Sequence, residues 1–573
     1  MTEIQSFQHE RVDDVPLIIG MCKKLGWGVI LDRHLGTHGL QKGLDNGQLV
    51  VGWMGYILSQ ADHRKSAVQG WANDNRCTLG QLLGQRIREV DFNDDRLGGV
   101  LHRLSDDGTW AAIERDLWGA TVAVYKMAST DVRLDSTTSY GYHKPEEGGL
   151  MQFGGHSKDH RPDLPQLKLM AAAAEPSGHL IASDVVPGQR ADDPLYVPLI
   201  KRVRGILNQT GLLYAGDKKM AALATRAHLA FHGDYYVVPL PMTGETGKAF
   251  DSWVEAIVDG KQTATLIWNE AQWIGAGYEF ERSHTTTVGD ESVTWTERVQ
   301  VVRSRAWAKR KIAELEERLS AASDELKALT PDPGRGKRQI CDGDILQMTI
   351  VQVLDEHKVE GLLNVEWERE VKERTRYKGP GRPGPNRPTY TETIVRYVIT
   401  EVKRNEAAIA AWRHRLGWRV YATNAPVHRL TLAESFLHYR QGWCLERDFH
   451  LVKDLPLGLS PLFVWKDDQI KGMVRLLTLA LRLLTLIESQ VRRCLSEEQT
   501  TLTGLYEGQP SRSTDRPTGK RILKAFARAK ITLLRVELGT GIEWHMTPLS
   551  PLHKQILRYL QLPLSLYSDL ANP

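Results

Sequence analysis

Asp135 and Asp217 each stand at the end of a short apolar run, VRLD at 132–135 and LLYAGD at 212–217, and Glu446 follows far downstream in a helical segment. In an open sheet, reacting groups gather at the carboxyl ends of strands, where the backbone stops and side chains converge. Two aspartates there would offer hard oxygen donors to a divalent cation. An aspartate closing a strand is by itself more often a turn or cap residue, so the pair alone leaves a structural role open.

Tyr439, Glu446 and Lys453 recur every seven residues. Seven steps of about 100° return within about 20° of the start, so one helix face would carry all three, with Trp443 between them. A face pressed against phosphates and a cation would be built this way, with glutamate as ligand and lysine and tyrosine as phosphate donors. The same spacing also suits a solvated helix face with an interfacial tyrosine, and on these residues alone that alternative stays open. Lys218 and Lys219 follow Asp217 directly, Lys158 and Arg161 sit in a loop, and TGKRILKAFARAK (518–530) is basic. Each could meet phosphate and steepen a salt dependence; a solvated loop or a wet helix face would account for Lys158, Arg161 and 518–530 as well.

The composition limits what can surround these residues. Of 573 residues, 41% are apolar and 25% charged, which excludes a disordered chain, and the length calls for several structural units. Net charge is only +4, so a nucleic-acid partner requires local basic patches. Five scattered cysteines (22, 77, 341, 444, 494) include no C-x-x-C and suit a reducing cytosol rather than a structural zinc site. The polar, acidic opening MTEIQSFQHERVDDV is no signal peptide. The longest apolar stretch, GMVRLLTLALRLLTLIES, carries Arg475 and Arg482, seven apart, which predicts a buried helix with both on one face rather than a membrane span.

The elements follow from periodicity. Residues 1–125 carry apolar residues at helical spacing and predict a helical N-terminal domain. From about 126 to 240 the order is three strands, helix, strand, helix, strand, a mixed α/β sheet. Residues 241–412 break that pattern as an insertion. It opens with antiparallel strands in ATLIWNEAQWIGAGYEFERS and ESVTWTERVQVV, followed by a long helix with Ile312, Leu315, Leu319, Ala322, Leu326 and Leu329 in a seam. That seam suits a short coiled coil or a helix packed on its own insertion. KGPGRPGPNRP (378–388) is loop; it suits a solvated turn or an arginine arm for a minor groove. GWRVYATN predicts a returning strand, and 431–454 a helix capped by Thr431 and Glu434, within a second core segment at 413–500. A helical C-terminal region covers 501–573.

YRQGWCLERDFHLVKD (439–454) resembles the signature Y-x2-R-x3-E-x6-K of DDE-class bacterial insertion-sequence transposases, the insertion-sequence-4 group and its relatives. Gly442 stands where that signature has arginine, with Arg440 two residues earlier. LDSTTSYGYHK (134–144) resembles the family's first-aspartate motif, and GGHSKDHRPDLPQLKLMAAAAEPSGHLIASDVVPGQRADD (154–193) its G-x-SK-x-x-RPDL-x-Q stretch, whose Gly-Asn-x-x-Asp end reads here Gly188, Gln189 and Asp192. The resemblance implies an RNase H-like (retroviral-integrase-like) core interrupted by a β-rich and helical insertion, with helical N- and C-terminal domains, and a DNA-binding or dimerisation role for the N-terminal one. Asp135, Asp217 and Glu446 would be the catalytic, metal-binding triad for two Mg²⁺ ions, or Mn²⁺ in their place, cutting and joining phosphodiester bonds by in-line displacement. Tyr439, Lys453, Arg440, Trp443, Lys158, Arg161, Lys218 and Lys219 would contact DNA, and Trp268, Trp273 or Trp295 could hold a flipped base. The implied partners are double-stranded DNA, as terminal inverted repeats and target, and a second copy of the chain on that DNA; no membrane is implied, and the setting is the bacterial cytoplasm and nucleoid. A two-metal endonuclease or resolvase without strand transfer, and a non-catalytic DNA-binding relative, remain the alternatives.

Overall fold

Nine strands form one mixed sheet in this computed structural model, which describes residues 4–154, 157–382, 384–538 and 540–572. Gly155 and His156 of the GGHSKDH motif, and Pro383 of the basic loop, lie outside the described residues. The strands in chain order are β1 (Ile4–Arg11), β2 (Asp131–Tyr140), β3 (Gln166–Ala174), β4 (His179–Pro187), β5 (Leu213–Ala215), β6 (Tyr235–Pro239), β7 (Thr265–Asn269), β8 (Gln272–Val288), β9 (Glu291–Ser304), β10 (Leu363–Tyr377), β11 (Thr389–Arg404), β12 (Trp418–Thr423), the short β13 (Leu502–Thr503) and β14 (Ser513–Thr514), β15 (Thr532–Leu538) and β16 (Gly541–Met546).

The large sheet runs β4-β3-β2-β5-β6-β12-β9-β8-β7. β2, β3 and β4 pair antiparallel, while β2–β5 and β5–β6 pair parallel. Parallel neighbours need a crossover, which helices Tyr196–Leu207 and Leu223–Phe231 supply. Every residue of β3 is buried, as expected of a strand covered on both faces. Its alternation assigns the covers. Met170, Ala172 and Ala174 pack with Leu199, Ile200 and Val203 of helix Tyr196–Leu207, whereas Leu167, Leu169, Ala171 and Ala173 join the core of the terminal helices.

That second core differs from the expectation of separate helical ends. β1 pairs with β15, which pairs with β16, so both termini contribute to a three-stranded sheet. IQSFQHER, TLLRVEL and GIEWHM lack the three- and four-residue apolar recurrence of a helix, and cross-strand pairing was available only from the far end of the chain. The buried helix Asp467–Glu497 threads this core as its apolar run predicted. Arg475 and Arg482, each 1% exposed, lie over the Trp110 ring at 5.4 and 5.9 Å. They pair with Asp107 and Glu114, carboxylates that are themselves seven apart on helix Asp107–Tyr125. Among the described residues no helix is long and apolar enough to cross a membrane.

The stretch 241–412 also differs from a self-contained insertion. β12 lies between β6 and β9, so β7, β8 and β9 extend the core sheet instead of forming a sheet of their own. The self-contained part begins with helix Arg305–Leu329. Leu315, Leu319, Ala322 and Leu326 pack on Leu346, Ile350 and Val353 of helix Gly343–Glu356 and on the base of the β10–β11 ribbon. The seam is therefore an internal packing face.

Candidate active site

The site follows from one register. β2 and β5 pair in parallel with Arg133 opposite Ala215, the last residue of β5. Two residues further on each chain come Asp135 and Asp217, side by side where the pairing has just ended. Asp135 does not close its strand as expected; β2 continues to Tyr140 because β3 keeps pairing with it as far as Gln166. What ends at this level is β5, and that opens the sheet beside the two carboxylates. Val132 and Leu134 point into the apolar core, which leaves the alternate positions Arg133 and Asp135 to the opposite face.

On that face helix Trp443–Lys453 packs against β2. A cleft of about 500 Å³ is lined by Asp135, Asp217 and Glu446 together with Arg133, Arg419, Tyr421, Tyr439, Arg440 and Trp443. A second cleft of about 600 Å³ is lined by Asp135, Glu446, Lys158 and Lys453. Asp135 and Glu446 belong to both, so the two clefts are halves of one trench.

The electrostatics are those of crowded carboxylates. Burial raises the Asp135 carboxyl above its ordinary range, Asp217 adds to the rise, and Lys158 opposes it. Lys158 Nζ lies 3.0 Å from Asp135 Oδ1. Asp217 Oδ1 accepts from the Tyr196 hydroxyl at 2.7 Å and from the backbone N–H groups of Lys219 and Met220 at 2.9 and 3.3 Å, which fixes its orientation. Burial pushes the Tyr196 and Tyr439 phenols up, and both also feel Asp217 and Asp135.

The helix that brings Glu446 is not continuous. The Thr431–Glu434 capping box is present, but helix Leu432–Arg440 stops, and a second helix starts at Trp443 with Gly442 as its N-cap. Tyr439 therefore does not share one unbroken helix face with Glu446 and Lys453; all three reach the trench through a break at Gln441–Gly442, where glycine weakens the helix. Arg133 braces that break. It donates to the His438 carbonyl at 2.6 Å and pairs with Glu175, and its guanidinium lies 3.3 Å from where a Cβ on Gly442 would stand. A cation from β2 thus fills the space beside the glycine that replaces the signature arginine.

The remaining residues divide. Arg440 stacks on Phe436 at 5.5 Å, and Trp443 is half exposed with Arg447 over its ring. Lys453 is paired with Asp159. Arg161 is paired with Asp163 at 2.8 Å, Lys218 is exposed, and Lys219 lies 3.6 Å from Asp193; none of these three lines either cleft. Trp295 is a core residue, 8% exposed and donating to the Tyr236 hydroxyl, whereas Trp268 and Trp273 lie on the β7–β8 hairpin at the sheet edge. Beside Trp443, the cleft wall holds a second tryptophan, Trp307, which the sequence reading passed over. Lys311, Arg419 and Arg310 stand over its ring at 4.7, 4.5 and 5.4 Å. Its signal was RAWAKRK, a tryptophan set among cations at a helix start.

The all-oxygen donor set suits a hard divalent ion, and the Lys158 ammonium already holds a positive charge against Asp135. In this arrangement no three His, Cys, Asp or Glu side chains among the described residues stand close enough to hold an ion. The exposed Glu446 side chain would have to turn inward to complete the set.

A profile described as a domain of unknown function (DUF4277) matches residues 7–115, the N-terminal helices and part of β1. No curated protein matches the chain. Among solved structures the chain is similar to the piggyBac transposase in its synaptic complex with hairpin DNA, at 8% identity and a TM-score of 0.31, over 97% of this chain and 84% of that one.

Proposed function

We propose that this chain is a DNA transposase of the DDE class, cutting phosphodiester bonds and joining the freed 3′ end to a target with Asp135, Asp217 and Glu446 as its catalytic carboxylates. The reading rests on the β2–β5 register that sets Asp135 against Asp217 at the head of a trench shared with Glu446. Three antiparallel strands followed by two parallel ones in the order β4-β3-β2-β5-β6 support an RNase H-like core, and the motifs around Asp135 and Glu446 support the insertion-sequence-4 relationship.

Divalent cations, two Mg²⁺ in this proposal, would supply an acidified water and absorb charge on the leaving oxygen. The chain's own groups do the rest. Asp135, Asp217 and an inward-turned Glu446 would hold the cations, with Tyr196 and two backbone N–H groups keeping Asp217 oriented. Arg419 and Arg440 give the cleft wall a positive lining for phosphate. Trp307 offers a ring on which an unpaired base can stack, worth about 1–3 kcal/mol.

The test is cleavage and joining of duplex DNA carrying terminal inverted repeats, with Mg²⁺ and with chelator. Asp135→Asn, Asp217→Asn and Glu446→Gln should each lower the rate by about 10²-fold or more, because several kcal/mol of charge stabilisation is lost and each 1.36 kcal/mol is tenfold. Joined products in the wild type would exclude the pure-nuclease alternative. Undiminished cleavage by Asp135→Asn would end the assignment.

A further inference from the structure

The β10–β11 ribbon is the part of the molecule least explained by its own packing. Its strands pair over Leu363–Tyr377 and Thr389–Arg404, a ribbon about 50 Å long at ~3.4 Å per residue. Among the described residues only its base is covered: Leu363, Val365, Tyr397, Ile399 and Val402 join the core of the two helices, and none of those described within 371–395 does. A two-stranded hairpin is at best marginally stable alone in water, and this one carries the exposed apolar side chains Val371, Tyr377, Tyr390 and Ile394.

Charge separates along it. The base mixes signs: Glu370 lies opposite Arg396 and pairs with it, Lys403 pairs with Glu366 and Glu401, and Arg404 pairs with Glu316 and Glu406. The distal part, 371–395, holds six basic residues against two acidic, a net charge of +4 that equals that of the whole 573-residue chain. Protecting an open strand edge calls for charge of either sign; one sign gathered at the tip calls for an anion. Lys372, Arg374 and Arg376 alternate along β10 and so share one face, with Tyr390 opposite Arg376. Arg376 is matched by Glu392, but Arg374, Lys378 and Arg382 are exposed and make no ion pair among the described residues. Arg387 is spent on the loop itself, lying over Tyr377 at 5.7 Å and donating to the carbonyls of Lys378 and Arg382. A braced turn with outward cations is the result.

We propose that the distal β10–β11 ribbon is a duplex-DNA-binding arm, laying Lys372, Arg374, Lys378 and Arg382 against phosphates. A two-stranded ribbon fits the major groove, about 12 Å wide, and cations on one face at two-residue intervals would track a phosphate strand. The inference rests on the DNA-processing reading above and names how that DNA is held away from the carboxylates.

The experiment uses the full chain and a 30-base-pair duplex, with binding measured by fluorescence anisotropy across salt concentrations in the presence of chelator. Lys372→Gln, Arg374→Gln, Lys378→Gln and Arg382→Gln combined should raise Kd at least tenfold near 0.1 M salt. The slope of log Kd on log salt should fall by about 3.6, since each of the four phosphate contacts contributes roughly 0.9. Arg374→Lys with Arg382→Lys keeps the charge and should hold the slope within about 1 of the wild type. An unchanged slope in the fourfold variant overturns the proposal, as does an equal loss in the lysine variant, which would point to a folding effect. Better competition by single-stranded DNA or RNA of the same length also overturns it, as does altered sedimentation with unaltered DNA binding, which would make the ribbon a self-association arm. Failure here is separable from failure of the catalytic reading, because the chelated assay needs no cleavage.

Discussion

Arg133 links the two halves of the candidate site with one side chain. It sits two residues before Asp135 on β2, and its guanidinium reaches Glu175 and the His438 carbonyl at the helix break that carries Glu446. Lysine has no planar fork and cannot serve both partners. Arg133→Lys should therefore let the break shift, lowering kcat at least about tenfold and raising the Mg²⁺ requirement about 10–100-fold, as outer-shell changes do, while DNA affinity stays within about threefold. An unchanged Mg²⁺ requirement would remove its positioning role. Nothing in VRLD marks that arginine, because its partners come from distant segments; Asp135, Asp217 and Glu446 stood out as candidates by position, and their joint role came from the resemblance of the motifs around Asp135 and Glu446 rather than from spacing. A different buried group sets an acid limit. His179, 1% exposed, has its pKa lowered to about 3, chiefly by burial and then by the Arg482 charge. The unfolded chain, near the ordinary 6.5, binds this proton first. Its contribution is thus present above pH 6.5 and is lost as pH falls toward 3, up to ~5 kcal/mol at 1.36 kcal/mol per unit. Denaturant titrations of His179→Leu between pH 7 and 4 should show a shallower acid decline than the wild type; parallel declines would contradict the linkage.

At the scale of elements, periodicity and caps carried far and pairing did not. The strand–helix order of 131–239 and the Thr431 capping box could be read from local residues. The insertion of β12 between β6 and β9, and the stop of β5 at Ala215, are settled by which strands meet across long separations, and no local pattern encodes them. Close helix contact is similarly hidden. Gly472 looks like an interruption in an apolar run, yet a Cβ there would stand 2.1 Å from the Leu101 carbonyl oxygen. Helices Asp467–Glu497 and Asp94–Leu104 touch backbone to backbone at that point, where no flexible side-chain end can give way. Gly472→Ala should cost at least about 2 kcal/mol, in the upper part of the range for overpacked cores. Gly205, exposed in helix Tyr196–Leu207 with nothing within 4 Å of its Cβ position, makes the contrast. Gly205→Ala should stabilise by about 0.5–1 kcal/mol from propensity alone. Chemical denaturation of both variants checks the pair, and equal effects would mean the helix contact is not tight.

At the scale of the molecule, chain order and spatial order part company. The N-terminal strand is completed by residues near the C-terminus, and helix Asp467–Glu497 is buried among both ends. The segment after β9 is organised the other way. The core of helices Arg305–Leu329 and Gly343–Glu356 with the ribbon base draws only on residues within 315–416. Its two ends meet: Arg303 pairs with Trp418 across β9 and β12, and the Ser304 N–H donates to the Gly417 carbonyl at 3.0 Å. Antiparallel neighbours that close need only a two- to five-residue turn. Replacing 306–416 by such a turn should leave the nine-stranded sheet and the Asp135–Asp217 register intact, with a single cooperative thermal transition. It should also remove the steep salt dependence of DNA binding with the ribbon, and weaken the cleft wall through loss of Trp307 and Arg310. If the shortened chain instead aggregates or melts without cooperativity, the sheet depends on the insertion and the division drawn at Ser304 and Gly417 is wrong.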